Sequence, residues 1–169
     1  MDKIAAFQIW LGVSALVIIF GMWAVVAVRY MRSVRHSVEI VWFKIDEHFR
    51  KRHDLVPGLI EIVKAGSEGS GFERLITARN LARREILPGP KKAELEKALG
   101  QAVAEVASGF TGGGAEFLEY KSDIRAAEEA VKLDTEVFNK HVDHHNIQRR
   151  IWWLRPVCKV MRYDAVERF

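Results

Sequence analysis

The chain has one cysteine, Cys158, so no intrachain disulfide can form and nothing points to an oxidising compartment. Only four prolines interrupt it, and period-two alternation of apolar and polar residues is missing over any useful length, which argues against strands. A phosphate-binding loop is lacking too: Gly112-Gly113-Gly114 is not followed by the Lys-Ser/Thr pair that such a loop needs, and reads as a turn. No nucleophile elbow and no paired-carboxylate motif is present, so no catalytic residue and no cofactor are expected. The net charge of +4 and the pI near 9.3 come without a zinc, helix-turn-helix or aromatic-platform signature, so nucleic acid is not expected as a partner.

Charge is absent from one stretch altogether. Between Ile4 and Val28 only Gln8 and Ser14 are conventionally polar. A helix needs roughly 20 apolar residues to cross a hydrocarbon core about 30 Å thick. Residues 1–28 are therefore read as a transmembrane anchor. A signal peptide fits less well, because the basic start is only Lys3 offset by Asp2 and the apolar run is too long. A buried core helix also fits less well, since the run is apolar on every side. Arg29, Arg32 and Arg35 flank the rear of the anchor, and the positive-inside rule then puts the short N-terminus outside the inner membrane and the rest in the cytoplasm. Basic residues beside an anchor attract anionic headgroups, so the bilayer is an expected partner.

After the anchor, apolar residues recur at Val34, Val38, Val41, Ile45, Phe49, Val56, Leu59 and Val63, mostly at steps of three or four. That is one face of a helix continuing without a break from the anchor. Pro57 is expected to kink it, with Asp54 as a cap at the kink. The residues from Gly66 to Gly71 make a turn, and Ser70 with Glu73 forms a capping box for a second helix. That helix carries Phe72, Leu75, Ile76, Ala82 and Ile86 on its inner side. Leu87-Pro88-Gly89-Pro90 stops it, and Pro90 suits the first position of a third helix with Leu95, Leu99, Val103, Val106 and Phe110. The fourth helix, with Phe117, Ile124, Val131, Phe138 and Val142, is expected to run to Pro156.

The fold class is thus all-α: an anchor continuing into an antiparallel four-helix bundle or coiled coil over residues 29–155, two helices long and two short, then a basic and aromatic tail over 156–169. The short pair cannot cover the whole long hairpin, and the uncovered apolar seam hints at self-association or another membrane protein as partner. In an up-down bundle the fourth helix ends at the membrane surface. Arg149, Arg150, Trp152, Trp153, Arg155 and Lys159 lie there, a composition favoured at headgroup level. The plainer alternative is that the two tryptophans close the end of the bundle. Arg83, Arg84, Lys91 and Lys92 form a second basic patch near a turn, which could meet phosphate or simply be solvated.

Other chemistry is weaker. His141, Asp143, His144 and His145 are the densest ligand-like group, and His141 and His145 share a helix face. They support, as an alternative, a metal-binding protein or metal-dependent enzyme, although the spacing assigns no third ligand. His53 beside Asp54 suggests acid–base work less readily than a cap. Cys158, flanked by Lys159 and near Arg155, invites a lowered pKa or acylation; an inert thiol is the safer reading.

The run with Arg35, Val38-Glu39, Trp42 and Ile45-Asp46, followed by Arg52, Asp54-Leu55 and Pro57, resembles the LemA family of bacterial membrane proteins. Ala78-Arg79 matches its next landmark. Asn139 and Asn146 keep the seven-residue spacing of its two Tyr-Asn pairs. Gly58 stands where the family has Asn, and His145 where it has Tyr, so the resemblance is to a divergent member, over Arg35 to Asn146. It implies a single-pass anchor, a cytoplasmic helical bundle and no established enzymatic activity. Some LemA-like proteins serve in magnetosome vesicle formation, so the resemblance also implies a scaffold that organises membrane. Asn139 and Asn146 are expected to set the register between helices.

Overall fold

The structure is a computed structural model and describes residues 2–66, 72–110 and 114–169. Every regular element among them is helical: α1 (Asp2–Gly66), α2 (Phe72–Arg84), α3 (Pro90–Gly109), α4 (Ala115–Arg150) and α5 (Arg155–Val160). The expected capping Ser70 and the expected turns at 66–71 and 112–114 lie largely outside the described residues.

α1 is 65 residues long and passes through Pro57 without ending. Asp54 is therefore mid-helix and exposed, and it caps nothing. A proline inside a helix leaves the carbonyl four residues earlier without its amide donor. Here that carbonyl belongs to His53, and the Arg79 Nε on α2 donates to it at 2.7 Å. The side chain of another helix supplies the hydrogen bond that Pro57 cannot, so the helix continues. We expect Arg79→Leu to cost about 1–3 kcal/mol, the usual penalty of a buried acceptor left unmet. In a Pro57→Ala background the restored amide should shrink that cost to well under half. Equal losses in both backgrounds, measured by denaturant unfolding, would show that Arg79 acts elsewhere.

α3 begins at Pro90, as its fixed φ favours. Gly89 before it has φ +153° and ψ 175°, a conformation essentially confined to glycine, which is why a Gly precedes the proline here. α4 stops at Arg150, not at Pro156. A turn over 151–154 intervenes before α5, whose first turn accommodates Pro156.

The chain groups into two compact units that cut across its sequence segments: residues 1–37 with 144–166, and residues 38–143 with 167–169. In the larger unit one core draws Val56, Leu59, Ile60 and Val63 from α1, Leu75 and Ala82 from α2, Leu99, Ala102, Val103 and Val106 from α3, and Phe117 and Ile124 from α4. The expected stripes therefore face inward, with two exceptions. Ile76 is exposed and Ile86, beyond the end of α2, more so. Gly58 admits Tyr120 of α4, because a Cβ there would overlap the tyrosine ring. In the same unit Trp42 packs against Phe49, Phe138 and Phe169, with Ile45 buried alongside on α1. Asp46 accepts from Arg50 Nε one turn on, at 2.9 Å.

In the smaller unit Ala27 and Met31 of α1 are buried with Leu154, Val157 and Cys158, and Trp23, Val28, Ile151, Trp153, Met161 and Tyr163 pack around them. The chain after α4 thus closes over α1 at residues 23–31. One helix, near the N-terminus, is long and apolar enough to cross a membrane.

Candidate functional site: an exposed apolar helix and its basic collar

Residues 6–22 of α1 are exposed on every side, including Trp10, Leu16, Ile18 and Phe20. Apolar side chains cover the helix all round here, where a helix packed on a core would show one polar face. From residue 23 onward the cluster around Leu154 covers one side of the same helix. The free apolar surface therefore runs at least from Ala6 to Met22, 17 residues or about 26 Å at 1.5 Å per residue, close to one hydrocarbon thickness.

The collar at its end is built by the turn and α5. Trp153 is half-buried and packs on the Ala27–Leu154 cluster, whereas Trp152 is 81% exposed. Trp153 thus helps to close a core, while Trp152 faces outward. Arg29, Arg32, Arg35, Arg150, Arg155 and Lys159 are all exposed in this unit, and Arg149 is half-buried. Arg35 stacks over the Tyr163 ring at 5.1 Å, and Arg149 Nη1 donates to the Tyr163 carbonyl at 3.3 Å.

α5 ends with a Schellman arrangement. Tyr163 N donates to Cys158 O at 3.0 Å and Arg162 N to Lys159 O at 3.4 Å. Glycine usually occupies the left-handed position of this motif. Arg162 occupies it here, at φ 51°, and is the one non-glycine residue with positive φ among the described residues. The conformation costs an L-residue about 1–2 kcal/mol. Arg149, Arg155, Lys159 and Arg162 line an open cleft of about 440 Å³, with Tyr163 and Asp164 at its edge. Cys158 also borders it, but the thiol is 5% exposed, and burial pushes its pKa up against the opposing pull of Arg149. This environment is that of the inert thiol, the safer of the two readings: a buried, protonated thiol is neither nucleophilic nor accessible.

The histidine group does not assemble. Among the described residues no set of three or more His, Cys, Asp or Glu side chains converges as metal ligands. His145 is 1% exposed and its pKa is lowered, chiefly by burial and further by the charges of Arg149 and Arg35. Cations around a buried imidazole disfavour another cation at it.

The two asparagines do something other than set register between helices. Asn146 Nδ2 donates to Val166 O at 2.8 Å while Val166 N donates to Asn146 Oδ1 at 3.1 Å. In the larger unit Asn139 makes the same exchange with Phe169 O and N, at 2.9 Å each. Each side-chain amide acts as a backbone partner for the non-helical end of the chain, whose amides and carbonyls have no helix to satisfy them. Arg168 pairs with Asp143 on the same stretch of α4.

The larger unit also holds a buried ionic cluster. Glu96 of α3 is 4% exposed; Arg52 pairs with its Oε2, Lys92 Nζ lies 2.9 Å and His53 Nε2 3.1 Å from its Oε1. Arg52 also donates to the Glu96 carbonyl at 3.0 Å, and Lys92 to Ala82 O in the last turn of α2 at 2.7 Å. Burial opposes ionisation of Glu96 more than any single partner favours it. Together His53, Lys92 and Arg52 outweigh burial and hold its carboxyl at about 2. Lys92 is thus no part of a basic surface patch, since its ammonium ends inside the core. His53 and Asp54 do not act as a pair, because one is buried against Glu96 and the other faces out. A signal for this cluster did exist in the sequence. The α1 stripe skips from Phe49 to Val56, with Arg52 and His53 filling the inward step. Counting back from Leu99 at steps of three and four reaches Glu96 and Lys92.

No protein-family model, no curated protein and no solved structure matches the chain.

Proposed function

We propose that the chain is a single-pass, membrane-anchored scaffold of the LemA type, non-enzymatic, with its helical domain on the cytoplasmic face of the inner membrane. The observation that carries this reading is the length of uncovered apolar helix before the collar, close to one hydrocarbon thickness, succeeded at once by tryptophan and arginine. The antiparallel four-helix arrangement belongs to the same proposal, supported by a core shared among α1, α2, α3 and α4. A second copy, or another membrane protein, is the partner suggested by Ile40, Phe43, Leu133 and Val137, which are apolar and exposed in the larger unit.

Full-length protein should remain in the membrane fraction through high salt and alkaline carbonate. Leu16→Arg combined with Ile18→Asp should release it, each charge at the helix centre costing about 2.5–3.5 kcal/mol of insertion. The buried Cys158 leaves a clean background for topology. A cysteine placed at exposed Ser122 should resist a membrane-impermeant maleimide in intact cells and react after lysis. Carbonate-extractable wild-type protein would end the anchor, and labelling from outside would reverse the orientation.

A further inference from the structure

We infer that the cleft between α5 and the end of α4 is a binding site for the phosphate of an anionic phospholipid headgroup. This rests on the membrane reading above and gives it a specific ligand. Two independent features support it. The first is charge: Arg149, Arg155, Lys159 and Arg162 converge on about 440 Å³ of open space, against the single carboxylate of Asp164. Like charges gathered around a cleft repel one another, and Arg155, Lys159 and Arg162 are exposed, with no ion pair to a carboxylate among the described residues. Guanidinium groups in such a fork suit phosphate oxygens in particular.

The second is backbone strain. Glycine would end α5 without penalty, yet an arginine holds the left-handed position at φ 51° and contributes its side chain to the cleft. Strain of this kind persists where the strained residue has work to do. Free phosphate shares this chemistry. A lipid source is favoured because α5 packs on α1 at residues 23–31, where the uncovered apolar surface ends and headgroups begin. A headgroup bound in the cleft keeps its acyl chains beside that surface.

The experiment uses full-length protein in a nonionic detergent, titrated with short-chain phosphatidylglycerol, short-chain phosphatidylcholine and inorganic phosphate in turn, and followed by tryptophan fluorescence. Phosphatidylglycerol should bind saturably, about one per chain. Phosphatidylcholine should bind at least tenfold more weakly, and inorganic phosphate more weakly still. Arg162→Gly should weaken phosphatidylglycerol binding about fivefold, the usual contribution of one cation to anionic lipid. The same substitution should raise the lipid-free Tm by about 2–4 °C through relief of the left-handed strain. A loss of binding accompanied by a gain in stability is something misfolding cannot imitate. Lys97→Gln, on an exposed lysine of α3 outside both basic patches, should leave binding unchanged.

Equal binding of the two lipids, unchanged affinity in Arg162→Gly, or an equal loss in Lys97→Gln would each overturn the site. Inorganic phosphate binding as tightly as lipid would replace it with a free-anion site. None of these outcomes touches the carbonate extraction, so the headgroup site can fail while the anchor stands.

Discussion

Replacing Glu96 with glutamine should lower stability by about 3–5 kcal/mol at neutral pH, the cost of leaving buried charges without their counter-charge. Lys92 would lose its buried counter-charge, and Arg52 would keep only the more exposed Glu128, at 3.9 Å. Arg52 is 5% exposed and Lys92 2%, and both are also tied to carbonyls in the core. Chemical denaturation of the full-length chain in detergent measures the effect. The same carboxylate sets an acid limit. Its folded pKa of about 2 lies below the ordinary value near 4.5, so protons bind the unfolded chain first as pH falls. Its stabilising contribution, about 3 kcal/mol, is full above about pH 4.5 and is lost progressively towards pH 2. Glu96→Gln should flatten that part of the stability–pH curve. A variant that stays as stable as the wild type and keeps the same acid midpoint would show that the cluster is solvated and the ion pairs inconsequential.

Phe49→Ala should cost about 3–5 kcal/mol, as large aromatic deletions from packed cores do. Phe49 is 1% exposed, lies 5.6 Å from Phe169 and 6.5 Å from Trp42 between ring centroids, and carries Lys92 at 5.3 Å and Arg52 at 5.6 Å over its ring. It is where the aromatic packing meets the ionic cluster. A double-mutant cycle with Lys92→Met should therefore show a coupling of about 0.5–2 kcal/mol. Strict additivity would mean that the ring serves the aromatics alone.

These residues also mark where sequence reasoning reached and where it stopped. The long apolar helix was legible because its signal is local: twenty-odd consecutive side chains without charge stand together in the sequence itself. The apolar stripes at Leu59, Leu99 and Phe117 were legible for a similar reason, since helical spacing alone brings them to one face. Lys92 read as part of a basic patch near a turn. Only Arg52 and His53, more than forty residues from Glu96, show that its ammonium and the Glu96 carboxylate belong to a core. Pro57 was legible as a lost amide, but not that Arg79 would replace it. Asn139 and Asn146 were noticed for their spacing, yet their partners, Phe169 and Val166, are 30 and 20 residues distant.

By itself, then, the sequence determined the helices, most of their inward faces and the apolar span, because these depend on hydrophobicity and periodicity within a few turns. Tertiary structure alone decided which charges are buried, where the end of the chain is held and how four cations come to share one cleft. Local spacing turns Arg52, His53, Lys92 and Glu96 inward, but which partner each meets depends on what distant segments bring to it.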